Sequence, residues 1–167
     1  YYPDTKLTED EIRSELGMDD SLYEEVYAEN TAQKAHPDTF IAVKVKEGKT
    51  DEVKEKLAAY KQRLLADEDF TASKDKIEAA EIYADGDYVF FLLLGEPETS
   101  GESSEGMAEA FGKEIQPGID AIKKVIGMES FCVDKLRKTP LISLKYLRLR
   151  GILLMYMHAG GLFCPPF

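Results

Sequence analysis

Ile82-Tyr83-Ala84-Asp85-Gly86-Asp87-Tyr88-Val89-Phe90-Phe91-Leu92-Leu93-Leu94 decides how this chain folds. Two apolar runs flank Asp85-Gly86. A type I′ turn needs positive φ at both central residues, and Asp-Gly is among the pairs that adopt it. The stretch therefore predicts a β-hairpin with Asp85 and Gly86 at its tip. The second run, Tyr88 to Leu94, is apolar on both faces. Such a strand belongs in a sheet's interior, covered above and below, or next to a partner.

Upstream, Phe40 to Lys46 alternates, with Ile41, Val43 and Val45 on one face and Ala42, Lys44 and Lys46 on the other. One dry face and one wet face is the habit of an antiparallel strand. Gly48 turns the chain, and Thr50 supplies an N-cap followed by Asp51 and Glu52 at the positive helix end. Val53, Leu57, Tyr60 and Leu64 then recur at helical spacing, predicting an amphipathic helix that ends near Asp67. Nearer the start, Thr8-Glu9-Asp10-Glu11 is a capping-box pattern, opening a short helix to Leu16 with Gly17 as its stop. Leu22 to Tyr27 fits either period, and its Tyr and Val content leans toward strand.

Downstream, Gly95 to Glu105 has Pro, Ser, Gly and Glu without an apolar anchor and reads as a surface loop. Met107, Phe111, Ile115, Ile119, Ile122 and Ile126 then form a stripe that keeps its phase across Pro117-Gly118. This predicts one helix kinked at the proline rather than two. Together the elements describe an α+β domain: two layers, a mostly antiparallel sheet of three to four strands, and helices packed on one face.

Charge divides the 167 residues unevenly. Residues 1–127 carry 15 basic and 30 acidic side chains, a net of −15, whereas 128–167 carry six and two, a net of +4. An acidic α+β domain over 1–127 and a basic, apolar tail over 128–167 follow, the tail reading as an added or out-of-frame segment, a membrane-surface helix, or a segment docked on the acidic domain. Its longest uncharged apolar run, Gly151 to Met157, is far short of the ~20 residues a membrane span needs. An overall charge of −11 argues against nucleic acid as a partner, since phosphate would be repelled. Two cysteines are too few for a disulfide scaffold. Tyr1 is not an initiator Met and no signal-like run precedes the polar start, so the chain is expected to be a processed form or a fragment.

No reactive motif stands out. Gly101 to Gly106 has phosphate-loop spacing, but Met107 stands where Lys is required. Cys132 and Cys164, with His158 the nearest imidazole, read as tail packing or free thiols rather than nucleophiles. His36 reads as an exposed loop histidine, and no cofactor or metal is expected. Asp19/Asp20, Asp67/Glu68/Asp69 and Asp85/Asp87 lack the oxygen spacing of a Ca²⁺ loop, and turn chemistry accounts for the last pair. Among the tyrosines, Tyr60 and Tyr88 have core roles. Tyr23, Tyr27 and Tyr83, if they share the outer sheet face, would form an amphipathic patch for protein or glycan contact.

Asp38 to Gly48, the helix Asp51–Tyr60 and Gly86 to Gly95 together resemble an uncharacterised family of small extracytoplasmic proteins. These are domains of unknown function from Gram-positive bacteria, usually predicted lipoproteins, and the likeness spans about residues 7–127. The resemblance implies export and tethering through an N-terminal lipidated Cys, which this chain lacks, and an association with envelope polysaccharide acylation. It brings no catalytic residues. The expected function is a noncatalytic, envelope-associated binding or accessory domain whose partner is an unknown protein or cell-wall component. The alternatives are a carboxylate-dependent hydrolase or transferase acting on envelope glycans, and a membrane-surface module driven by the tail.

Overall fold

The structure, a computed structural model, describes residues 3–32, 36–96 and 104–137, with side chains of the last segment described over 106–127. The chain divides into two compact units, residues 1–126 and 127–167. The expectations concerning Cys132, His158, Cys164 and the tail's apolar run fall on side chains outside the described residues.

The first unit is α+β. Its five strands are β1 (Thr5–Lys6), β2 (Tyr23–Asn30), β3 (Thr39–Val45), β4 (Glu81–Asp85) and β5 (Tyr88–Leu93). They form one sheet of order β1-β2-β3-β5-β4 in which every neighbouring pair is antiparallel. Its helices are α1 (Glu9–Glu15), α2 (Thr50–Ala66), α3 (Lys74–Glu78) and the part of α4 (Ser104–Arg137) up to residue 126, with a 3-10 segment, Glu68–Ser73, joining α2 to α3. The sheet is one to two strands wider than expected. The extra strand is β1, whose two residues, Thr5 and Lys6, pair with Asn30 and Glu29 and are too short to leave a periodic signal.

Strand β5 lies between β3 and β4. Its odd-numbered residues Val89, Phe91 and Leu93 join Ile41, Val43 and Val45 of β3 in a core completed by Ile12 and Leu16, by Val53, Leu57 and Tyr60 of α2, and by Ile77 of α3. Its even-numbered residues Phe90 and Leu92 meet Ile115, Ile119 and Ile122 of α4 in a second core. Helices therefore cover both faces, giving three layers where two were expected. The reason is visible in β5 itself: a strand apolar on both faces in an otherwise half-polar sheet leaves its second face uncovered unless an element packs there.

Local signals are mostly realised as read. Thr8 and Glu11 form a reciprocal capping box, the Glu11 N–H donating to the Thr8 hydroxyl at 3.3 Å and the Thr8 N–H to Glu11 Oε2 at 2.7 Å. Gly17 follows the helix end with φ +64°. Leu22 to Tyr27 resolves as strand β2 from Tyr23 onward. Helix α4 runs unbroken through Pro117.

Two boundaries move by one residue. Lys49, not Thr50, occupies the N-cap of α2; its backbone carbonyl accepts from Val53 and its ammonium from within the first turn reaches Glu52 at 2.8 Å. In the hairpin Asp85 pairs with Tyr88, which leaves Gly86-Asp87 as the two-residue loop. Gly86 has φ +56°, and among the described residues no non-glycine residue has positive φ. One positive φ at the first loop position is the requirement of a turn with glycine there, so the tip needs Gly86 alone rather than Asp85 and Gly86 together.

Candidate functional site

The three tyrosines do not gather on one face. Tyr23 pairs with Val45 and packs against the core shared with α1 and α2, its hydroxyl donating to Asp20 at 3.1 Å. Tyr27 and Tyr83 lie on the α4 face, in one row across the sheet: Tyr27 opposite Ala42, Ala42 opposite Phe90, Phe90 opposite Tyr83. An irregularity in the β2–β3 register between Tyr23 and Glu25 removes the simple alternation that would put Tyr23 and Tyr27 together. Tyr83 is stacked on Phe90 at 6.3 Å with Lys123 of α4 5.5 Å from its ring centre, and its hydroxyl donates to Asp85 at 3.1 Å. Tyr27 packs against Phe40 at 6.5 Å and hydrogen-bonds through its hydroxyl to Glu29.

The carboxylate clusters are equally dispersed. Asp85 and Asp87 sit at the hairpin end of the sheet, in line with Tyr88 and Lys44. Asp67 and Asp69 lie at the opposite end, where Thr39 and Leu93 pair. Asp67 caps the 3-10 segment by accepting from the Asp69 N–H at 3.0 Å. Glu11, Asp19 and Glu109 are held below the usual carboxylate range by hydrogen bonds, first among them those from Thr8, Ser21 and Lys113. Among the described residues no set of three or more His, Cys, Asp or Glu converges as a metal cage.

What the fold does assemble is an open cleft of about 500 Å³ at the Thr39 end of the sheet. Five parts of the chain build it. The end of β2 brings Asn30 and Thr31, and the entry to β3 brings His36, Pro37 and Thr39. The last turns of α2 bring Tyr60, Arg63 and Leu64, and the segment after it brings Asp67, Asp69 and Phe70, while Glu15 closes the rim from α1.

The wall between β2 and β3 is fixed by hydrogen bonds from side chain to backbone. Thr31 donates to the His36 carbonyl at 2.6 Å, and the buried Thr39 hydroxyl donates to the Pro37 carbonyl at 2.9 Å. Behind it Asp38 is buried against Lys76, both carboxylate oxygens 2.8 Å from the ammonium. The floor is Tyr60, almost wholly buried and edge-on to Phe91 at 5.5 Å. Burial pushes the Tyr60 hydroxyl above the usual tyrosine range, a shift that its hydrogen bond to Thr39 partly offsets.

Arg63 stands over the Tyr60 ring, its guanidinium carbon 5.7 Å from the ring centre. Among the described residues no ion pair joins it to Glu15, Asp67 or Asp69, although all three carboxylates line the same cleft. The cleft therefore offers one cation, several anions, an amide and an apolar floor, a constellation suited to holding a polar ligand by hydrogen bonds and charge.

His36 is half-buried at this site rather than an exposed loop residue. Asn30, Thr39, Tyr60, Arg63 and Phe70 carried no signal in the sequence, because each lies in an element whose own pattern explains it. Only the sheet's return path puts Asn30 within reach of Arg63 and Phe70.

Comparison with curated proteins and with solved structures finds no match to either. A family pattern does match: a domain of unknown function, DUF4358, over residues 1–94. The match takes in all five strands and ends at Leu94, so it contains every residue of the cleft and stops before α4. Spanning more than half of the 167 residues, it shows that this chain belongs to the DUF4358 family of domains of unknown function.

Proposed function

We propose that this chain is a noncatalytic, extracytoplasmic binding or accessory domain of the cell envelope, and that it works through the cleft at the Thr39 end of its sheet. The observation that carries the reading is the cleft's construction. Tyr60 and Thr39 are buried and the wall between β2 and β3 is hydrogen-bonded, as a preformed site requires, while the charged Glu15, Arg63, Asp67 and Asp69 are exposed and open to a ligand. The separation of Asp85/Asp87 from Asp67/Asp69 by the length of the sheet speaks against paired-carboxylate chemistry on glycans. Export, a lipid anchor and a protein or cell-wall partner rest on the resemblance described above.

The test is a titration of the full ¹⁵N-labelled chain with fractions of solubilised cell-wall material, followed by amide chemical shifts. Shifts clustered at Asn30, Thr39, Tyr60, Arg63 and Phe70, with the added material recovered chemically unchanged, are the expected result. Shifts confined to other surfaces, or breakdown of any fraction by the chain, would overturn the proposal.

A further inference from the structure

We infer that the ligand of this cleft is a zwitterion, a short peptide carrying both a free carboxylate and a free ammonium group; the inference rests on the binding reading above and specifies its ligand class.

The argument begins with charges that share a small volume without pairing. Arg63 presents five guanidinium donors in a planar fork suited to a carboxylate. Glu15, Asp67 and Asp69 line the same roughly 500 Å³, yet none is within salt-bridge distance of it. Were they close, they would neutralise the guanidinium and leave nothing for a ligand. Unpaired and exposed, Arg63 and the carboxylates all remain available to a ligand. A ligand with separated charges of both signs can engage both kinds of group, whereas a plain anion meets three carboxylates and a plain cation leaves Arg63 unmet.

The aromatic floor does not favour the other common class. Neutral sugars are held by stacking on an exposed aromatic face, but the face of Tyr60 is taken by Arg63, and its edge contacts Phe91. The contact with the ring also restrains the guanidinium, which lowers the ordering cost when the carboxylate arrives. In the same cleft, the Asn30 amide supplies both a donor and an acceptor, the complement of a peptide N–H and C=O. Leu64 and Phe70 accommodate small apolar side chains.

The experiment titrates the full ¹⁵N-labelled chain with tri-alanine bearing free ends, with its N-acetylated and C-amidated forms, and with the trisaccharide of N-acetylglucosamine. Free tri-alanine should shift the amides of Asn30, Thr39, Arg63 and Phe70, and blocking either end should weaken binding by about 10-fold or more, the scale of one charge-assisted hydrogen bond. Arg63→Gln, at an exposed position where folding is undisturbed, should bind the free and amidated peptides equally; Asp67→Asn with Asp69→Asn should do the same for the free and acetylated forms. Equal binding of all three peptides to the unaltered chain would overturn the inference, as would no binding of any peptide. Binding of the trisaccharide alone at the same amides would overturn it while leaving the binding-domain reading intact. A failure of every probe here, together with silence toward cell-wall fractions, would remove both.

Discussion

Lys76 places its ammonium nitrogen 2.8 Å from both carboxylate oxygens of Asp38, in a pair whose side chains retain only 9% and 1% of their exposure. The pair ties α3 to the start of β3, directly behind the cleft wall, and Phe111 of α4 lies with its ring centre 5.8 Å from the same ammonium. Removing one partner leaves a buried charge uncompensated. Asp38→Ala should therefore cost about 3–5 kcal/mol, whereas adding Lys76→Met to it should recover much of that loss. Urea unfolding of the two single variants and the double variant measures the coupling; additive costs would show that the two charges do not depend on each other.

Gly95 joins the sheet to α4 under a steric constraint. It has φ +94°, and a Cβ there would lie 2.6 Å from Glu114 Cβ, a backbone-anchored atom with little room to yield. Gly95→Ala should destabilise by about 1–3 kcal/mol. Gly112→Ala, on the same helix with nothing within 4 Å of the new methyl, should be neutral or stabilising by up to about 1 kcal/mol through helix propensity. Thermal unfolding of both variants, with opposite signs expected, separates steric strain from a general effect of adding methyl groups.

The α1 capping box gives a pH dependence of definite sign. Hydrogen bonds from Thr8 hold the Glu11 carboxyl below its ordinary value, so the folded chain favours the ionised form more than the unfolded chain does. The resulting stabilisation is present above the unfolded glutamate range and is lost as pH falls through the lower folded value. Thr8→Ala should cost about 1 kcal/mol at neutral pH and progressively less in acid. A series of urea midpoints from neutral pH to pH 3 tests this, and an undiminished cost at the acid end would contradict it.

Tyr60 reports from the floor of the cleft at the alkaline end. Burial raises its ionisation above the ordinary tyrosine range, so the unfolded chain loses the proton first. Stability is fully present below the unfolded value and declines as pH climbs through it toward the folded one. Tyr60→Phe should flatten this decline, and the ultraviolet phenolate titration of the variant should lose one component above the ordinary tyrosine range.

Most of the scaffold could be read in advance because its signals are local. The alternation at Ile41, Val43 and Val45, the Val53-Leu57-Tyr60 spacing and the capping box each act within a few residues, and each survives folding unchanged. Phe90 and Leu92 already announced a strand covered on both faces, but the sequence could not say that Ile115, Ile119 and Ile122 would provide the second cover. The turn at Gly86 moved by one residue because the pairing of Asp85 with Tyr88, not turn propensity, sets the register. The cleft was illegible. Arg63 looks like one more charge on the wet side of α2, and only the tertiary path brings it near Asn30 and His36, 33 and 27 positions away. The separation of Tyr23 from Tyr27 was hidden for a related reason, since one irregular pairing beside Glu25 reverses which way a side chain faces.

The strand order β1-β2-β3-β5-β4 also bears on how the protein is made. β4 leaves the ribosome before β5 yet occupies the far margin of the sheet and pairs with β5 alone, so the inner border of β3 must wait unpaired until residues 88–93 arrive to fill it. During that interval the inner border of β3, with Ile41 and Val43, is open to any other nascent chain. The closing step joins segments more than forty positions apart, so assembly should be paced by that late insertion rather than by the early hairpin of β2 and β3.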